Sequence, residues 1–122
     1  GGDLMAAGTY NFTIEQGARF SKRIEWKDAA DDLVPLTGLA ARMHLRPKVD
    51  SATVLLEMTT DNGRITLTDP GIIEWALGAD VTADLDFSSA VYDLEIYDPL
   101  DDTVVDRLLE GKVTLKKEVT RP

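Results

Sequence analysis

The chain has 122 residues, no cysteine, and 13 Lys and Arg against 22 Asp and Glu, for a formal net charge of -9. That length suits one domain with its own core, and the missing thiols exclude disulfides, thiolate zinc sites and cysteine nucleophiles. The acidity argues against a general grip on phosphate backbones, and no apolar run approaches the ~20 residues of a membrane-spanning helix. A soluble protein is therefore expected, with neither nucleic acid nor membrane among its partners.

Gly1-Gly2-Asp3-Leu4 ahead of Met5 reads as a tag remnant, so residues 1–8 are set aside as a flexible N-terminus and residues 9–122 as a single domain. Tyr10, Phe12 and Ile14 then alternate with polar residues, the period of a half-buried strand. Phe20, Ile24 and Trp26 mark a second strand. Gln16-Gly17 between the two suits either a hairpin or a crossover to another sheet.

After the turn-rich "DAADDLVP" of residues 28–35, Leu39, Ala41, Met43 and Leu45 alternate with Ala40, Arg42, His44 and Arg46. This is the cleanest alternation in the chain. Pro47, which has no N–H for a central ladder, should end it. "TVLLEM" at residues 53–58 predicts a further strand, and Asp61-Asn62-Gly63 and Asp69-Pro70-Gly71 are strong turn signals. With Ile65 and Leu67, then Ile73, Trp75 and Leu77, these segments predict a three-strand meander.

The helix-like segment is "DVTADLDF", residues 80–87, about two turns with Val81 and Leu85 four apart. Beyond it Tyr92, Leu94 and Ile96 face one way, and Val91, Asp93, Glu95 and Tyr97 the other. "DPLDDT" at residues 98–103 is a turn. The last strand region, residues 104–119, breaks phase at Leu108-Leu109 just ahead of Gly111, which predicts a β-bulge or a bend there. About eight short strands and one helical turn give an all-β fold whose sheets must cover each other: an antiparallel, immunoglobulin-like β-sandwich, with a small β-barrel as the alternative.

Chemistry is sparse. His44 is the one imidazole, on a strand between Arg42 and Arg46 with no orienting acid beside it in sequence, so catalysis there is not expected. Asp93 and Glu95, two apart, are what any solvated strand face produces rather than a glycosidase pair. Asp98, Asp101 and Asp102 offer oxygens to Ca2+ but lack EF-hand spacing and read first as an acidic hairpin turn. Trp26 and Trp75 fall in phase with inward apolar residues, as core side chains do. No catalytic residue, cofactor or metal site is assigned.

Charge is unevenly spread: residues 79–106 hold nine carboxylates and no Lys or Arg. The basic stripe Arg42, His44 and Arg46 and the acidic pair Asp93 and Glu95 are therefore the candidate interface residues. The natural complement of the stripe is carboxylate, either across strands within the fold or on a neighbouring subunit.

The order "YNFTIEQGARFSKRIEWKD", "VPLTGLAARMHLRPKVDSATVLLEMTTDNGRITL", "AVYDLEIYDP" and "RLLEGKVTLKKEVTR" resembles small tailed-bacteriophage structural proteins. In layout it is similar to the N-terminal β-sandwich domain of phage upper baseplate proteins. The resemblance spans nearly all of residues 9–121. It implies a non-enzymatic virion protein of tail, baseplate or neck, assembled in the host cytoplasm, whose partners are other virion proteins and copies of itself. Alternatives from the residues are a carbohydrate or host-receptor binding module and an acidic DNA-mimic regulator.

Overall fold

The computed structural model describes residues 8–120. Residues 1–7 and 121–122, which include most of the proposed tag remnant, lie outside them. Among the described residues, nine strands and one short helix follow in order: β1 (Gly8–Thr9), β2 (Phe12–Glu15), β3 (Phe20–Glu25), β4 (Ala40–Arg46), β5 (Leu56–Thr59), β6 (Ile65–Thr68), β7 (Ile72–Leu77), α1 (Ala79–Ala83), β8 (Ser89–Asp98) and β9 (Asp101–Lys116). One sheet has the order β1-β9-β8-β4-β5, with β2 also on β9; the other has the order β3-β7-β6. Two separately hydrogen-bonded sheets make a β-sandwich, not a closed barrel.

Alternation decides which side chains fill the space between the sheets. On β4, Ala41, Met43 and Leu45 are buried; on β8, Ala90, Tyr92, Leu94 and Ile96 are buried; Ile73, Trp75 and Leu77 of β7 meet them from the second sheet. Trp26 and Trp75 both join this core, as their phase predicts. Burying an aliphatic or aromatic side chain of this size contributes about 1.5–3 kcal/mol, so these strands supply most of what holds the fold.

Three features depart from the expected picture. The sheets are not wholly antiparallel: β1 and β2 run parallel to β9, with Gly8 opposite Leu109 and Phe12 opposite Val113. The first strand has thus crossed to the sheet that β3 does not join. The predicted meander is also divided. β5 pairs with β4, whereas β6 and β7 form a hairpin in the other sheet, so the turn around Asn62 is a corner between sheets. There the Thr59 and Arg64 N–H groups both donate to Asn62 Oδ1. Finally, the helix is only Ala79–Ala83, and it is fixed by Thr82, whose buried hydroxyl donates to the Ala18 carbonyl at 2.8 Å.

The bulge expected near Leu108 is present. Leu94 pairs with Leu109 but Glu95 pairs with Arg107, leaving Leu108 as the extra residue. Three residues on, Gly111 lets the Tyr10 carbonyl approach β9 closely, since a Cβ there would collide with that oxygen and lie 2.8 Å from Asn11 Oδ1. Tyr92 donates its hydroxyl to the same carbonyl at 2.5 Å. Asn11 Oδ1 accepts from Lys112 N at 2.9 Å, replacing the backbone bond lost where β1 and β2 separate.

Beyond the bulge β9 continues along β8, which stays paired with β4 as far as Tyr97, so the two-stranded arm is only the tip, residues 98–104. Asp101 and Val105–Arg107 pair with β8, with a register shift that leaves residues 102–104 between them unpaired on it. Asp98 and Asp101 cap the tip, accepting from Leu100 N (2.9 Å) and Thr103 N (3.0 Å). Leu100 is 96% exposed, and Val104 and Val105 are 38% and 41% exposed.

Candidate functional site

Strand register places the candidate interface residues together rather than on separate surfaces. Arg42 lies opposite Glu95 and His44 opposite Asp93, across β4 and β8 on the outer face of the larger sheet. β9 adds Arg107 opposite Glu95 and Glu110 opposite Asp93, and β5 adds Glu57 opposite His44. The outer face is therefore a lattice of charges in cross-strand rows. Its outer edge borders an open groove of about 660 Å3 whose walls include His44, Arg46, Val91, Arg107 and Lys112.

Arg42 Nε donates to Glu95 Oε1 at 2.8 Å, while its guanidinium lies 4.3 Å from the centroid of the Tyr97 ring. Arg107 reaches both carboxylates, at 3.3 Å from Asp93 and 3.9 Å from Glu95. The basic stripe thus meets carboxylates within its own fold. Arg46 differs: it donates to the Ser51 carbonyl at 2.8 Å and to His44 Nδ1 at 3.2 Å. Exposed pairs of this kind contribute about 0.2–1 kcal/mol each, so their main effect is to fix side-chain orientation.

His44 has both ring nitrogens occupied. With Arg46 donating to Nδ1, the hydrogen sits on Nε2 and is donated to Glu57 Oε2 at 3.1 Å. Neither nitrogen is left facing a hydroxyl or amine it could deprotonate, which a general base requires. At the arm tip the Asp98 and Asp101 carboxylates are used as turn caps, and the hydrogen bonds from Thr103 hold the Asp101 carboxyl below its ordinary range. Among the described residues no group of three or more His, Asp or Glu is placed to hold a metal.

Asp93 is the strained member of the lattice. Burial raises its pKa above the ordinary 3.8, and Glu95 and Glu110 push the same way against Arg107 and His44. The folded state then holds this proton more tightly than the unfolded chain, so the ionised form detracts from stability. That contribution is favourable below the ordinary carboxylate value and is lost as pH rises through the raised one. Asp93→Asn, which cannot ionise, should therefore gain on the wild type in urea midpoint between about pH 3 and about pH 7. A midpoint difference that is flat across that range would show that neither the burial of Asp93 nor its neighbouring charges are felt.

Sequence reasoning missed Arg107, Glu57 and Glu110 as members of this face. Arg107 left a signal, because it is the one Lys or Arg between Arg64 and Lys112, and counting through the phase break at Leu108 sets it beside Glu95. Glu57 and Glu110 left none, since strand pairing alone brings them in.

No family model matches the chain, and no curated protein matches it. Among solved structures it is similar to a chain from a photo-crosslinking study of the multimeric cell-adhesive interactions of VGSC beta subunits. The two are 14% identical over 97% of this chain and 98% of that one, with a TM-score of 0.47. A likeness at that level carries no functional argument.

Proposed function

We propose that the chain is a non-enzymatic structural module of a tailed-phage virion, acting through contacts with other proteins. The observation that carries the contact role is the β8–β9 arm. It exposes Leu100, Val104 and Val105 beside Asp98, Asp101 and Asp102, outside the packed core. Exposed apolar residues rimmed by charge mark protein-binding surfaces. The virion assignment is supported by the order of strand motifs, which resembles upper baseplate proteins.

The charged outer face has a different part in this reading. Arg42, Glu95, Asp93 and Arg107 answer one another within the sheet, so they stiffen the module, and the arm meets the partner. The test is to purify particles from the genome that encodes the chain and probe them by mass spectrometry. The chain is expected in stoichiometric amount with the tail components; particles that lack it overturn the assignment.

A further inference from the structure

We infer that the basic end of the outer-face groove, around Arg46, Val91 and Lys112, is the seat for the acidic tip, residues 98–102, of a second copy of this chain. This contact rests on the reading that the chain works through protein contacts, and it gives that reading a partner.

Three cross-strand rows cross the outer face of β4, β8 and β9. In one, Glu95 stands between Arg42 and Arg107; in the next, Asp93 stands between His44 and Glu110. Each of these rows supplies its own carboxylate. The third differs, because Val91 stands between Arg46 and Lys112. Among the described residues neither of these two cations is ion-paired. Arg46 gives its bonds to the Ser51 carbonyl and His44 Nδ1, which leaves donors of its guanidinium over.

Neighbouring strands lie about 4.8 Å apart, so the two cations are rooted roughly 10 Å from each other with an apolar floor between them. Long side chains from both sides can close on one carboxylate there. Val49, 86% exposed, adds apolar surface to the same groove. The complement is therefore a carboxylate next to an exposed apolar side chain. β1 runs from Leu109 toward Lys112, so its start at Gly8 lies on the side of the paired rows, away from this end.

The chain carries that complement at its tip, Asp98-Pro99-Leu100-Asp101-Asp102. Leu100 is 96% exposed and Asp102 is exposed beside it. The caps at Asp98 and Asp101 already hold the turn, so little ordering is needed on contact. Val91 and Asp98 stand toward opposite ends of β8, roughly 20–25 Å apart. A chain cannot seat its own tip, and the contact runs between copies. At -9 each, two copies repel over most of their surface, and the groove, with Arg46, Arg107 and Lys112 against Asp93 and Glu110, is where that repulsion reverses.

Every copy has one tip and one seat, so the contact closes as a two-fold pair or a ring, or grows as a series. The test is sedimentation equilibrium of the full chain up to about 1 mM, where a mass above the monomer is expected with a midpoint of about 0.1 mM. Lys112→Glu and Asp102→Lys should each weaken association at least about tenfold, and an equimolar mixture of the two variants should regain it, since each supplies the charge the other lacks. Seating is read by disulfide capture, which the absence of native cysteine makes clean. Val49→Cys chains mixed with Leu100→Cys chains should give the mixed dimer in preference to either homodimer.

A chain that stays monomeric to about 1 mM overturns the contact, as it would if residues 1–7 filled the groove. So does association that survives both charge variants, a mixture that regains nothing, or capture that does not favour the mixed dimer. Monomeric behaviour with the chain still found in virions removes this contact alone. Association and capture by a chain absent from virions remove the virion assignment alone.

Discussion

Gly111→Ala is expected to strip the N-terminal strand from the sandwich. The added Cβ would meet the Tyr10 carbonyl oxygen and Asn11 Oδ1, and neither can retreat cheaply. The carbonyl also receives the Tyr92 hydroxyl, and Asn11 Oδ1 takes the Lys112 N–H. Overpacking of this kind costs about 1–3 kcal/mol, with roughly another 1 kcal/mol for each hydrogen bond lost, so a total of about 3 kcal/mol or more is expected. Urea unfolding would report the loss, and amide exchange should quicken at Phe12–Glu15 before it does in β4. The contrast is Gly63→Ala: Gly63 has φ of +78° with nothing within 4 Å of the added Cβ, so the cost there is backbone strain of about 1 kcal/mol. If Gly111→Ala proves no worse than Gly63→Ala, the close approach of β1 and β2 to β9 is not as described.

Trp75→Ala should be more damaging still, while Trp75→Phe should be nearly tolerated. Trp75 is fully buried, opposite Ile65 in the second sheet and 5.9 Å from the Phe12 ring. Its truncation to Ala opens a large cavity at a cost of about 3–5 kcal/mol. The indole N–H, however, has no hydrogen-bond partner among the described residues, and an unsatisfied buried donor costs about 1–3 kcal/mol. Phenylalanine removes that donor while keeping much of the ring, so the lost area is largely offset and the net change should stay within about 1.5 kcal/mol. Should Trp75→Phe fall as far as Trp75→Ala in denaturant midpoint, the N–H is satisfied after all, by a trapped water for example.

Which side of a strand faces the core was legible from the residues alone. In Ala40–Arg46 and Ser89–Asp98 each apolar side chain at alternate positions is buried as its phase predicts. The Leu108-Leu109 phase break likewise located the bulge, because a single extra residue is the simplest way to put both phases on one face. Partners were not legible. Period two says nothing about whether β5 continues to β6 in its own sheet or crosses, and Asp61-Asn62-Gly63 can turn either way. The parallel seating of β1 and β2 on β9 joins residues about a hundred positions apart, with no local trace. The candidate site was half legible for the same reason. Arg42, His44, Arg46, Asp93 and Glu95 were identified as a charged group, but their mutual pairing depends on β4 lying beside β8. Arg107 entered only through the bulge.

The parallel clasp of the first strand on the last sets how this module would respond to tension. Gly8 leads into the ladder at one end, and Lys116 leaves it at the other. A pull applied between those points runs along both strands in opposite senses, so the backbone bonds from Gly8 to Glu15 are stressed together in shear and not peeled one after another. The hydrogen bonds at Tyr10 and Asn11 act as rivets in the middle of the seam. A chain fastened to its neighbours near its two ends would transmit force through this seam and leave the charged face and the acidic arm undisturbed.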